Sequence, residues 1–300
     1  MLLLAFMLFC VIIKALSEER VFYIKKKNHG KRAFFLTLAS LICLYLLTYI
    51  FNFIIEVNTY KIKSPKVNKK VRVALITDLH NSRYGKSQKN IMRKIDAQDP
   101  DIVLLSGDIA EDYKGNENAF ELVTRLADKY PCYYVSGNHE CRSGNLKKIK
   151  NKIRQCGAVV LEGEGETIEI NGQKINICGV DDYFIGEQRF IKQLDNSVSD
   201  IDMKNYTILI SHRPDLERLY TSYDFDLIVS GHQHGGQWRI PYLFENGLVA
   251  PDGKFLPKYT TGKRTIGNSQ QIVSRGLSKL TPPLSRVFNS PEVIIIDIEP

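Results

Sequence analysis

The stretch VSGHQHGGQ, residues 229–237, closes a β-branched apolar run, DLIVS, and sets His232 and His234 two residues apart among glycines. The chain has only six histidines in 300 residues, so two at one turn demand a reason. An apolar run of four or five residues that ends on imidazoles reads as a buried strand delivering ligands at its carboxyl end. In open α/β sheets that end is where ligands gather.

Four more stretches repeat the pattern. VRVALITDLH (71–80), DIVLLSGDI (101–109), CYYVSGNHE (132–140) and YTILISHRP (206–214) are each a short apolar run followed by charged or imidazole residues. Their ends carry Asp78 and His80, Asp108, Asn138 and His139, and His212. Taken singly these residues have ordinary explanations: an Asp after a strand caps a helix or forms a turn, and GNH is a good left-handed turn. Together they predict one site. Between the strands, LKKIKNKIRQC (146–156) and NENAFELVTRLADKY (116–130) carry apolar residues on one helical face. Alternating strands and helices predict α/β layering. A further group, TIEI, KINICGV, QQIVSRG and EVIIIDIE, predicts a second sheet.

Carboxylate, amide oxygen and neutral imidazole suit borderline divalent ions such as Mn, Fe, Zn or Co, and the lack of clustered thiols argues against a closed structural zinc site. Four imidazoles, two aspartates and an asparagine are too many for one tetrahedral ion. They suit two ions about 3.5–4 Å apart that share a carboxylate. If the GHQH segment continues as extended strand, both imidazoles point one way, one for each metal.

The series DLH, GDIAE, GNHE, SHRPD and GHQH resembles, in that order, the motifs of the calcineurin-like metallophosphoesterase superfamily, and most resembles its membrane-anchored bacterial branch, similar to UDP-diacylglucosamine pyrophosphohydrolases. The resemblance runs from Asp78 to His234, and a tail of the form GGQ…SRGL…R…PEV extends it to the C-terminus. It implies a four-layer α/β/β/α sandwich of two mixed sheets. It further implies that Asp78, His80, Asp108 and His234 hold one metal, that Asp108, Asn138, His212 and His232 hold a second, and that His139 is a catalytic non-ligand. Where the family places a second aspartate, this chain has Glu111 followed by Asp112, and either is a candidate orienter of His139. Arg83 and Arg213 are candidate substrate phosphate contacts, or equally structural ion-pair residues. The segment WRIPYLFENGLVAPDG (238–253) is open between a lid, a lipid-facing wall and ordinary packing.

Charge separates the chain into regions. Residues 1–72 hold thirteen Lys/Arg against three Glu, whereas the remaining 228 hold 28 basic and 30 acidic groups. The excess of positive charge therefore sits at the N-terminal end, and a net −2 domain offers no general attraction to nucleic acid. Residues 33–55 run 23 positions without a charge, long enough to cross a hydrocarbon core of about 30 Å. The sequence thus predicts an anchor over 1–55 with spans at about 1–17 and 33–55, a polar juxtamembrane linker over 56–70, and a catalytic domain over 71–300. The basic loop between the spans places that domain outside the cytoplasm, in an integral protein of the cell membrane. Cysteines show no C-x-x-C and read as free thiols.

The expectation is a membrane-bound hydrolase, a phosphodiesterase or pyrophosphatase with manganese or a similar ion as cofactor and a phosphorylated substrate drawn from lipid metabolism. The alternatives are a metal-binding scaffold that has lost catalysis and a nuclease.

Overall fold

The computed structural model describes residues 29–51, 53–112, 115–240, 243–251, 253–279 and 286–300. The chain divides into two units, one up to Ile50 and one from Phe51 onward. In the first, helix α1 spans His29–Phe51. The first expected span, 1–17, lies outside the described residues, as do the side chains at 44, 45 and 47–51 of the second. Among the described residues no helix is long and apolar enough to cross a membrane. The expected transmembrane helices therefore do not stand as observed elements.

Among its described residues the second unit contains twelve strands: β1 Glu56–Lys63, β2 Val71–Ile76, β3 Ile102–Ser106, β4 Cys132–Val135, β5 Val159–Val160, β6 Glu164–Ile170, β7 Gln173–Gly179, β8 Tyr206–Ile210, β9 Leu227–Ser230, β10 Gly262–Ile266, β11 Ser269–Val273 and β12 Glu292–Glu299. Helices α2 Lys89–Asp96, α3 Glu117–Ala127, α4 Asn138–Arg142, α5 Leu146–Gln155, α6 Glu187–Ser197 and α7 Glu217–Tyr220 are interleaved with them. One sheet runs β1-β12-β2-β3-β4-β5 and the other β10-β11-β9-β8-β7-β6. Both are mixed: β12 is antiparallel to β2, and β10–β11 and β6–β7 are antiparallel pairs in otherwise parallel sheets.

The pleat explains the layers. On β2, Val71, Val73 and Leu75 share a core with Ile175, Ile177, Ile208 and Val229 of the second sheet. Ala74 and Ile76, pointing the other way, pack with Ile91, Ile95, Leu122, Leu126 and Ile153 from α2, α3 and α5. Leu209 and Ile228 face outward from the second sheet onto Phe190 and Leu194 of α6. Strands buried on both faces read as continuous apolar runs rather than alternating ones. The result is the expected order of helices, sheet, sheet, helices.

Two expectations are corrected. Residues 56–63 belong to no linker: β1 pairs in parallel with β12 along its whole length, from Glu56–Glu292 to Lys63–Glu299. Its lysines and half-exposed pattern mark a protected sheet edge, which composition alone does not separate from a polar linker. The run EVIIIDIE lies in the first sheet between β1 and β2, whereas β8 and β9 lie in the second. A doubly buried strand looks the same in either sheet, and only long-range pairing assigns it.

Candidate metal centre

The carboxyl ends of β2, β3 and β4 from one sheet meet those of β8 and β9 from the other. Ser106, the last residue of β3, stitches the two edges: its hydroxyl donates to the carbonyls of Ser211 (3.2 Å) and Val229 (3.3 Å). Its own carbonyl accepts from His212 Nδ1 at 2.8 Å. That bond commits the His212 proton to Nδ1 and turns Nε2 inward as a lone-pair donor.

Two donor groups form around these ends, a first of Asp78, His80 and His234 and a second of Asp108, His212 and His232, and His80 also belongs to a third with Glu111 and His139. In the first, Asp78 Oδ1 and His80 Nε2 each lie 3.3 Å from His234 Nε2. In the second, Asp108 Oδ2 is 3.2 Å from His212 Nε2. The same oxygen is 3.6 Å from His80 Nε2, so Asp108 stands between the groups. His232 and His234 are divided one to each group. The means differs from the expected strand pleat: β9 stops at Ser230, and both histidines take a left-handed backbone, φ 68° and 47°. Asp78, His80 and Asp108 are also left-handed, at 50°, 47° and 52°. Such conformations cost L-residues about 1–2 kcal/mol each and persist where surrounding structure enforces them.

Enforcement is visible around Asp108. The buried Glu140 carboxylate accepts from the backbone N–H groups of Asp108, Ala110 and Gly137, each at 2.9 Å. Gly137 has no alternative, since a Cβ there would strike the Asp108 carboxylate. Burial and the neighbouring Asp108 charge push the Glu140 carboxyl up to about 7. Burial also opposes charge on Asp108, yet His212 and His80 hold its carboxyl well below the ordinary range. The same field acts in reverse on His212. Burial depresses that imidazole, but Asp108 and Asp78 outweigh it and raise it to about 10. A pocket negative enough to favour a proton on a fully buried imidazole favours a cation on the same atoms.

The donor set fits divalent metal by an independent test. Asn138 Oδ1 and His212 Nε2 are both buried and have no hydrogen-bond partner within the protein. Buried polar atoms without partners are uncommon and point to a missing ligand. Asn138, with Asp108, His212 and His232, completes the expected second set.

His139 packs edge-to-face on the donor His80, with ring centroids 4.4 Å apart, and 23% of its side chain is exposed. Its backbone N–H donates to Asp108 Oδ1 at 2.8 Å. Glu111 Oε1 sits 2.7 Å from His139 Nδ1 and Glu111 Oε2 3.3 Å from His80 Nδ1. Asp112 is farther from His139, at 3.5 Å, and instead accepts from Arg142 Nε at 2.8 Å. Glu111 is therefore the carboxylate that holds the imidazole, while Asp112 holds Arg142, whose guanidinium lies 3.0 Å from His139 Nε2. Burial lowers the His139 imidazole, but the Glu111 hydrogen bond and Asp108 prevail and raise it.

The two candidate arginines separate. Arg213 donates to Asp182 at 2.9 Å and reaches His232 Nε2 at 3.2 Å, which places a cation against the second donor group. Arg83 is exposed, and its Nε faces the carbonyl of Gly85 at 3.4 Å. The sequence reading also passed over Glu140, Asp182 and the tail residues Ser278 and Arg286. Ser278 Oγ lies 2.9 Å from His234 Nδ1, and the fully buried Arg286 donates to Ser278 Oγ at 3.1 Å. Their signals were the acid after GNH and the SRGL…R tail, present in the sequence without an assigned role. Among the described residues all five cysteines are free.

Carboxylates and imidazoles converging at the strand ends of a two-sheet sandwich define a metal-dependent hydrolase of phosphoric esters. The calcineurin-like phosphoesterase family model matches residues 71–236, more than half of the chain. The chain belongs to that family. A metallophosphoesterase of Aquifex aeolicus without assigned function is 29% identical over 258 residues, 82% of this chain and 93% of that protein. The uncharacterised metallophosphoesterase YkuE of Bacillus subtilis is 26% identical over 234 residues, 76% and 79% of the two chains. One from Helicobacter pylori is 30% identical over 225 residues, 73% of this chain and 57% of that longer protein.

Proposed function

We propose that this phosphoesterase uses two divalent ions and hydrolyses a phosphodiester or pyrophosphate bond of a lipid or lipid-linked nucleotide at the membrane, with UDP-2,3-diacylglucosamine as one substrate of that type. The observation that carries the two-ion reading is the Asp108 carboxylate, 3.6 Å from His80 on one side and 3.2 Å from His212 on the other. The uncharged run 33–55 supports the anchor, and the basic loop before it supports an extracytoplasmic domain.

Asp78, His80 and His234 would hold one ion, and Asn138, His212 and His232 the other, with Asp108 shared. Bound there, divalent ions polarise phosphoryl oxygens and lower the pKa of water. His139 holds a proton on its imidazole, kept there by Glu111 at 2.7 Å, and is exposed enough to meet substrate. The Nδ1 proton stays with Glu111, and the proton on Nε2 of the charged imidazole goes to the departing ester oxygen. Arg213, fixed by Asp182, pairs with a phosphoryl oxygen beside His232.

The test uses the full chain in detergent with Mn²⁺. It should hydrolyse an aryl phosphodiester or a nucleotide-linked pyrophosphate, and Asp108→Ala should reduce the rate by about 10³-fold or more. No turnover of either ester, or equal turnover by the variant, would remove the proposal. Metal content of the purified protein, two ions per chain against one, tests the dinuclear reading separately.

A further inference from the structure

Eleven large apolar side chains are exposed among the described residues after residue 50, and seven of them lie between 238 and 259. Leu243 and Phe255 are the most open, at 74% and 72%. Exposed apolar residues scattered singly need no explanation, but a concentrated patch marks a contact surface. This segment is not loose chain. Leu248 N–H donates to Trp238 O at 2.8 Å and Leu256 N–H to Leu248 O at 2.9 Å, while Ile240 and Val249 form isolated bridges with Phe244 and Phe255. Backbone bonds thus hold the apolar tips outward instead of letting them collapse.

Its charge sets the segment apart. Residues 238–259 contain Arg239, Lys254 and Lys258 against Glu245 and Asp252, a net of +1. The whole of 73–300 carries 28 basic and 30 acidic groups, so the rest of that region is −3. A basic apolar loop with aromatic residues on an otherwise acidic domain is complementary to an anionic bilayer surface. The loop also has a fixed place relative to the metal centre: Leu248 N–H donates to the carbonyl of Gly236, two residues past His234, at 3.1 Å.

We infer that the described residues of 238–259 form a preformed wedge that docks on an anionic phospholipid surface and sets the mouth of the metal centre at headgroup level. This rests on the membrane reading above and adds a second, independent attachment to it. The occupant is the bilayer itself, because basic side chains interleaved with apolar tips match headgroups over acyl chains better than they match a wholly apolar protein face.

Trp238 is the only tryptophan in the chain, so its fluorescence reports this loop and nothing else. The full chain is mixed with vesicles of phosphatidylcholine, with or without phosphatidylglycerol, carrying brominated acyl chains. The chain should float with the vesicles, and Trp238 emission should shift to the blue and be quenched about twofold, more strongly with phosphatidylglycerol. The double variant Leu243→Asp, Phe255→Asp should lose the quenching and keep its turnover of a soluble aryl phosphodiester. A chain that floats with unquenched Trp238 sinks the wedge and leaves the anchor standing. Failure to float sinks both. Quenching no greater with phosphatidylglycerol than without overturns the anionic assignment, and a blue shift that grows with protein concentration in the absence of lipid makes the occupant a second copy of the chain.

Discussion

Ser278 Oγ lies 2.9 Å from His234 Nδ1, joining the C-terminal tail to the first donor group. With a metal taking the Nε2 lone pair, Nδ1 would carry the ring proton and donate it to Oγ, the arrangement that fixes a ligating imidazole in one tautomer. Arg286 holds the hydroxyl in place through its own bonds to Ser278 Oγ and the carbonyls of Ser278 and Arg275. Ser278→Ala should weaken Mn²⁺ binding by about 10- to 100-fold, and Ser278→Thr should restore most of it. Calorimetric titration of the apoprotein reads both. An unchanged affinity in the alanine variant would show that the tautomer is set elsewhere.

Glu111 touches two histidines, 2.7 Å from His139 and 3.3 Å from His80. Glu111→Gln keeps the shape and removes the charge that stabilises a protonated His139. The expected outcome is a fall in kcat of about 10- to 100-fold with KM within about twofold, because proton delivery is impaired and phosphate binding is not. Asp112→Asn should act more weakly, since Asp112 engages Arg142 rather than the imidazole. Steady-state kinetics on one aryl ester decide between them, and a larger loss from Asp112→Asn would reverse the assignment.

The strand-end residues were legible because a short β-branched run followed by Asp, Asn or His is a local signal, and the five runs lie on β2, β3, β4, β8 and β9. Sheet membership was not legible: β12 pairs with β2, more than 200 residues earlier, and nothing local in EVIIIDIE says so. The edge strand β1 was hidden for the opposite reason, as its lysines and threonine resemble a linker until β12 supplies a partner. Glu140 was quoted in the sequence but given no task. Its role is to gather three backbone N–H groups, and a backbone partner leaves no trace in side-chain spacing. The left-handed turns at His232 and His234 were missed because residues other than glycine adopt them only in a small minority of cases, and nothing local in GHQH marks them.

Gly276 shows how the tail constrains the site. Its backbone sits at φ +69°, and an added Cβ would come within 2.8 Å of Asp78 Oδ2 and 3.0 Å of its Cγ. Neither the backbone nor the carboxylate can yield without moving a donor. Gly276→Ala should cost about 1–3 kcal/mol of stability from the left-handed conformation and the overlap together. Thermal unfolding should show a lower Tm, and Mn²⁺ binding should weaken in parallel. A variant with wild-type Tm and metal affinity would mean that Asp78 has room to retreat.

Asp297 on β12 faces Arg72 on β2 in register, and the pair is independent of the metal centre. Arg72 Nε donates to Asp297 Oδ1 at 2.8 Å and Nη2 to Oδ2 at 3.2 Å, with Lys70 Nζ 2.8 Å from Oδ2. Burial favours the neutral acid, but the Arg72 and Lys70 bonds outweigh it and hold the carboxyl below its ordinary value. The unfolded chain therefore binds the proton first on acidification, and folding stability rises with pH across that window. The contribution is complete above the unfolded-state pKa of about 3.9 and is lost as pH falls through the lower folded-state value. Asp297→Asn lacks this term, so it should be the less stable protein at pH 7, and the two unfolding free energies should converge on acidification. Denaturant titrations from neutral to strongly acidic pH provide the comparison, and a gap that stayed constant across the range would show that the carboxylate contributes through shape rather than charge.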